Sequence, residues 1–180
     1  MTNDRTILIT GVTGQQGGAV AQALEGAGFH LRGLTRKPES QRAAALARQG
    51  IEIVKGDLDD EATLRRALAS AWGVFGVQNA GEAGVEREEA QGKRLATLAR
   101  EAGVEHYVYT SVGSADKQTG IPHFDNKWRI EETVRDLRFP SHVILHPVFF
   151  MENLLAPYSL QGPTLAWALG PGPPRDRSRR

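Results

Sequence analysis

Three glycines stand at Gly11, Gly14 and Gly17 in the stretch GVTGQQGGAVAQAL. The spacing is G-x-x-G-x-x-G, one residue longer in its first gap than the commoner dinucleotide fingerprint. The chemistry such a loop serves is pyrophosphate binding. Gly11 permits a tight turn, Gly14 lets the backbone come close to phosphate, and Gly17 lets the following helix pack against the sheet. The unpaired N–H groups of the helix start then face the anion. Thr13, Gln15 and Gln16 fill the gaps and belong to the same cradle. A glycine-rich turn without a ligand uses similar residues. What favours a cofactor is context, because the loop follows an apolar strand and opens a helix.

The second strand ends in Leu34-Thr35-Arg36-Lys37. NAD sites usually carry a carboxylate there, on the ribose 2′-OH. Two cations stand there instead. The planar fork of Arg36, with Lys37 beside it, suits a 2′-phosphate. NADP(H) is therefore expected ahead of NAD(H), with solvated loop charges as the alternative. Past the third strand, Asp57 is placed for the adenine edge and Leu58 for its ring, although Asp57 equally suits a helix start. Gln78 and Asn79 follow the fourth strand, where a dinucleotide crosses the sheet. An exposed turn is the other reading of that pair.

The elements that must position these residues alternate regularly. Short apolar runs predict strands at 6–10, 29–35, 51–54, 72–77, 104–110 and 141–145. Amphipathic stretches predict helices at 19–27, 40–49, from Asp59 or Asp60 to about 70, from about 85 to 102, and at 126–137. Gly28, Gly50 and Gly103 supply C-terminal stops. This alternation is the pattern of an α/β fold with a doubly wound parallel sheet covered on both faces. At 180 residues, with 40% hydrophobic and 24% charged residues, the chain supports one substantial core. The net charge of +1 gives no global field directed at nucleic acid or a membrane. The absence of cysteine excludes disulfides, thiolate metal sites and a cysteine nucleophile. It is compatible with a reducing cytoplasm, the expected location. The five histidines lack metal-ligand spacing, so no metal is expected. The N-terminus does not read as a signal peptide, and no apolar run reaches transmembrane length.

Five segments in order carry a family resemblance: GVTGQQGGAVAQAL, LTRKP, GDLDD, YTSVGSADKQTGIPHFDNKWRIEE and HPVFFMENLL. Together they resemble the NmrA-like family, atypical extended relatives of the short-chain dehydrogenases/reductases, over residues 5–169. The resemblance implies a Rossmann-type domain that binds NAD(P)(H), usually favouring NADP(H), followed by a smaller C-terminal lobe. Some members are cofactor-ratio sensors that bind regulatory protein partners. Others are NAD(P)H-dependent quinone or isoflavone-type reductases.

Ordinary short-chain dehydrogenases use a serine, a tyrosine and a lysine, with the tyrosine four residues before the lysine. By the resemblance, Lys127 of HFDNKW holds the lysine position and Ser111 the serine position. Four residues before Lys127 stands His123, not tyrosine. His123 has the chemistry of a proton carrier, because an imidazole can change charge near neutral pH. Its position ahead of the predicted helix favours a loop-shaping role. Lys127 is expected to hold the nicotinamide ribose. A lysine in a first helical turn opposes the helix dipole slightly, a mild argument for function. His146 stands where relatives carry arginine before the proline. Phe149, Phe150 and Asn153 are expected near the nicotinamide, with 148–150 as core the alternative.

Family-like sequence persists to Leu169 and gives way to GPGPPRDRSRR. Residues 1–169 are read as the cofactor domain and 170–180 as a disordered, solvated tail. The expectation is a reading frame cut short, with most of the substrate lobe missing and Trp167 left exposed. Three functions follow: an NADP(H)-binding sensor or regulator, a reductase of quinone-like or small carbonyl substrates, or a fragment without function. The missing tyrosine, Arg36 and the expected loss of the substrate lobe favour the first. No helix-turn-helix or basic patch points to direct nucleic-acid binding. Substrate, protein partner and oligomeric state stay open.

Overall fold

The apolar runs become six parallel strands in a computed structural model that describes residues 5–152, 160–161 and 164–165. They are β1 (Thr6–Ile9), β2 (His30–Thr35), β3 (Glu52–Lys55), β4 (Ala71–Gly76), β5 (His106–Thr110) and β6 (Ser141–Leu145). Their order is β3-β2-β1-β4-β5-β6. This is the doubly wound Rossmann-type sheet that the sequence pattern predicts. The order reverses between β1 and β4, so the crevice for a ligand opens at their carboxyl ends.

The helices are α1 (Gln15–Ala23), α2 (Gln41–Arg48), α3 (Glu61–Leu68), α4 (Ala80–Ala83), α5 (Val85–Glu101) and α6 (Pro122–Asp136). Successive strand residues point to opposite faces, so the sheet carries two cores. Leu8, Leu34 and Val74 pack with Leu64, Leu68, Leu95 and Ile130 on one face. Ile7, Ile9, Leu31 and Phe75 pack with Val12 and Ala21 on the other. Among the described residues, no helix is long and apolar enough to cross a membrane.

Two helix starts differ from the sequence reading, and both matter for the site. Helix α1 begins at Gln15, not 19, and ends at Ala23, not 27. Gly17 and Gly18 lie inside it despite their poor helix propensity. A methyl group at residue 17 would overlap the Gly11 carbonyl and stand 2.7 Å from the Thr10 carbonyl oxygen. Close packing of helix on strand therefore outweighs propensity. Helix α6 begins at Pro122, a residue suited to a first helical turn. His123 is thus inside the first turn rather than ahead of the helix. Lys127 falls in the second turn, and the argument from the helix dipole does not apply to it.

Asp60 caps α3 by accepting the Thr63 N–H at 3.2 Å. Its neighbour Asp59 ties the β3–α3 loop to α5. It accepts from Arg87 Nε at 2.6 Å and from Gln91 Nε2 at 2.8 Å, with Arg94 close by. Burial acts to raise its pKa, but the hydrogen bonds from Arg87 and Gln91 and the charges of Arg87 and Arg94 outweigh it. The net shift is downward.

Described residues from Pro147 onward belong to a second unit. It contains the antiparallel pair β7 (Leu160–Gln161) and β8 (Thr164–Leu165). Phe149 and Phe150 belong to it. Asn153, Trp167 and 170–180 lie outside the described residues.

Gly17→Ala is expected to destabilise the fold by about 2 kcal/mol or more, because its new methyl meets fixed backbone. Urea unfolding measures this directly. Asp59→Asn is expected to lower the urea midpoint at neutral pH. The folded carboxyl titrates below its ordinary 3.8, so the wild-type advantage is complete above that value. It disappears as pH falls through the folded pKa, where the unfolded chain binds the extra proton. Urea titrations from pH 7 down to 3 should show the two chains converging.

Candidate functional site

Thr10 ties the two sides of the crevice together through its backbone and its hydroxyl. Thr10 lies just past β1, and its N–H donates to the Phe75 carbonyl at 3.0 Å. Its Oγ1 accepts the Val77 N–H at 2.8 Å and lies 3.1 Å from the Val77 carbonyl oxygen. Residues 77–78 are thereby fixed beside the glycine turn. A Cβ on Gly11 would stand 2.8 Å from Val77 Cγ1, and Gly11 has φ +59°. The position requires glycine on both counts.

The turn closes when the Gly14 N–H donates to the Gly11 carbonyl at 2.8 Å. Helix geometry leaves the N–H groups of Gln15, Gln16 and Gly17 without an intrahelical acceptor. No side chain caps them, and the first turn of α1 holds no acidic residue. Gly11, Gly14 and Gln15 are exposed and Thr13 is half-buried. Gln16 Oε1 accepts from Thr110 Oγ1 at 2.8 Å, which fixes α1 to the end of β5. The result is an open helix N-terminus set on a rigid base.

Gln78 is 5% exposed, and neither its Oε1 nor its Nε2 has a hydrogen-bond partner among the described residues. A buried amide left unpaired costs about 1–3 kcal/mol, so its position calls for a polar ligand. Asn79 is engaged locally instead. Its Oδ1 accepts the Gly81 N–H at 3.0 Å and its carbonyl accepts from Glu82 and Ala83, so it starts α4. Asp57 Oδ1 accepts the Asp59 N–H at 3.0 Å and shapes its own turn. Leu58 packs at the margin of one core, and its carbonyl accepts from Arg94. At the end of β2, Arg36 Nη2 donates to Glu82 Oε2 at 2.6 Å, and both side chains are 61% exposed. Lys37 follows, with its N–H on Thr35 Oγ1.

The residues expected at the chemical end do not join into one hydrogen-bonded set among the described residues. Lys127 Nζ donates to Glu88 Oε1 at 2.8 Å, with the lysine 13% and the glutamate 1% exposed. Asn126 Nδ2 donates to the other Glu88 oxygen at 2.8 Å and to the Val85 carbonyl at 2.9 Å. Ser111 Oγ donates to Glu131, which is fully buried and also receives Arg135 Nη2 at 2.6 Å. His146 Nε2 lies 2.8 Å from the same carboxylate. His123 is exposed and meets the Phe124 ring edge-on at 4.6 Å. The Tyr109 phenol is buried without a hydrogen-bond partner among the described residues, and its ring centroid lies 5.9 Å from Lys127 Nζ. Burial, with the Glu88 and Glu131 charges, pushes its pKa far up, so it stays protonated.

Glu82, Glu88 and Glu131 are the partners of the expected site residues that sequence reading missed. For Glu88 a signal exists. It continues the buried stripe of Gln91, Gly92, Leu95 and Leu98 on α5, where a carboxylate needs a buried partner. Glu131 likewise sits among Ile130 and Val134 on the buried face of α6.

The NmrA-like family model matches residues 3–177. The NmrA-like family domain-containing oxidoreductase FrzB of Cladobotryum sp. is 33% identical over 161 residues, covering 83% of this chain and 48% of that protein. The NADPH-dependent quinone oxidoreductase QOR2 of Escherichia coli, solved with NADPH, matches with TM-score 0.70 at 30% identity. That match covers 83% of this chain and 51% of that one. NmrA, a negative transcriptional regulator solved in complex with NAD, matches with TM-score 0.68 at 25% identity. It covers 78% of this chain and 45% of that one. The chain spans about half the length of the curated relatives it matches. The glycine turn, the sheet order and the family match lead to one conclusion: this chain belongs to the NmrA-like family.

Proposed function

We propose that this chain carries the NADP(H)-binding part of an NmrA-like protein and serves a sensing or regulatory role. The observation that carries the cofactor reading is Gln78, a buried amide without a partner at the end of β4, beside a turn that requires glycine. The uncapped N–H groups of Gln15, Gln16 and Gly17 would hold the pyrophosphate. Arg36, assisted by Lys37, would hold a 2′-phosphate, and Asp57 and Leu58 the adenosine side. Gln78 would bond toward the nicotinamide half. When bound, the nicotinamide supplies hydride exchange. The chain's own residues are poorly arranged to assist it with protons. Ser111 donates to Glu131, Lys127 is neutralised by Glu88, and no tyrosine stands at residue 123. A sensor needs only binding, with a protein partner reading the loaded state.

A second reading is NAD(P)H-dependent reduction of a quinone-like acceptor. It is favoured by the 30% identity to a quinone oxidoreductase. The readings separate on one assay. A sensor binds NADPH and NADP⁺ with different affinities and does not turn over. A reductase oxidises NADPH only when an acceptor is added, and needs Lys127.

NADPH at about 100 times its dissociation constant is expected to stabilise the chain by ~2.7 kcal/mol, and to raise the melting temperature more than NADH does. A cooperative melt indifferent to both would remove the cofactor reading. Lys127→Met alone is expected to cost about 3 kcal/mol or more, because it strands the buried Glu88 charge. Adding Glu88→Gln should recover most of that loss in urea unfolding. The double variant is therefore the right chain for the acceptor assay.

A further inference from the structure

Arg36 already holds an anion. Its guanidinium, just past β2, is bonded at 2.6 Å to Glu82, which lies on α4 past β4. Strands β2 and β4 flank β1 on its two sides. A link from one to the other therefore crosses the carboxyl end of β1, where the glycine turn opens. The Glu82 carboxylate therefore occupies the Arg36 guanidinium, the planar fork suited to a 2′-phosphate.

We propose that Glu82 is an internal competitor for the 2′-phosphate of NADP(H), and that the Arg36–Glu82 pair sets both the affinity for NADP(H) and its preference over NAD(H). The proposal rests on the cofactor reading above. A phosphate that displaces Glu82 gains Arg36 but must break an existing charge-assisted hydrogen bond and approach a carboxylate. A ribose carrying a free 2′-OH has neither cost. The geometry suits displacement. Glu82 rides on a four-residue helix, between the Asn79 cap and Gly84, whose φ is +82°. Both partners are well exposed, so the pair is weak enough to exchange with a ligand.

The test is binding by the 180-residue chain and its E82Q and R36A variants, followed by calorimetry with NADPH and NADH. Adenosine 2′,5′-bisphosphate and adenosine 5′-monophosphate serve as probes that carry no nicotinamide. E82Q should bind NADPH and the bisphosphate about three- to fivefold more tightly, the size expected for an exposed ion pair. NADH and the monophosphate should change by less than about twofold. In R36A, NADPH should weaken and the further change E82Q should have little effect. If wild type binds NADPH and E82Q leaves both its affinity and its preference over NADH unchanged, Glu82 is no competitor, and the cofactor reading survives. If wild type, shown folded by a cooperative melt, binds none of the four ligands, the cofactor reading fails and this proposal falls with it.

Discussion

The Gly11 carbonyl leaves no space for a methyl group at residue 17, and the architecture of the site follows from that crowding. Any other residue at 17 would push α1 off the end of β1. Kept close, the helix delivers its first N–H groups to the mouth of the crevice, and Gln16 can reach Thr110 on β5. Thr10 completes the base by fastening the Val77 backbone to β1. The turn is thus rigid on its inner side and open on its outer side. Such an arrangement lets backbone dipoles favour an anion without reorganising.

Charge is handled differently at the two ends of the crevice. Past β2, cations lie at the surface and the Arg36–Glu82 pair is wet. At the other end, two carboxylates are buried. Glu88 is matched by Lys127 and Asn126, and Glu131 by Ser111, Arg135 and His146. Each would be costly if stranded, so each fixes its neighbours firmly. They join α5 to α6 and α6 to the strand ends. Lys127, expected from the sequence at the chemical end, is thus bound into the fold through Glu88.

Much of this was legible in the sequence. The runs around Ile7, Leu31, Ile53, Val74, Val108 and Val143 are short and apolar, and each is a strand. The spacing of Gly11, Gly14 and Gly17 marks the turn correctly, and the acidic pair at 59–60 marks the start of α3. What escaped has physical reasons. Helix α1 starts early because packing at Gly17 overrides propensity, and a propensity-based reading sees only glycines. Helix α4 has four residues, too few for any period to emerge. The partner of Lys127 lies 39 residues away on another helix, and local spacing carries no information about such a pair. Asn79 shows the same limit, because its role as a cap became visible only with α4.

Gly84, with its positive φ, separates two segments of very different standing. Helix α5 is rooted at its first turn through Val85, Glu88 and Asn126. Helix α4 is held by the Asn79 cap, the wet Arg36 contact and its neighbour α5, and Gly81 and Glu82 face solvent. The cooperative unit of the domain therefore breaks at Gly84. Gly81 and Glu82 are exposed, so α4 is expected to open at lower free energy than α5, which buries Leu95, Ala96 and Leu98 in the core. In amide hydrogen exchange, protection would step up at Glu88, whose N–H is the first of α5 with an acceptor, the Gly84 carbonyl at 2.9 Å.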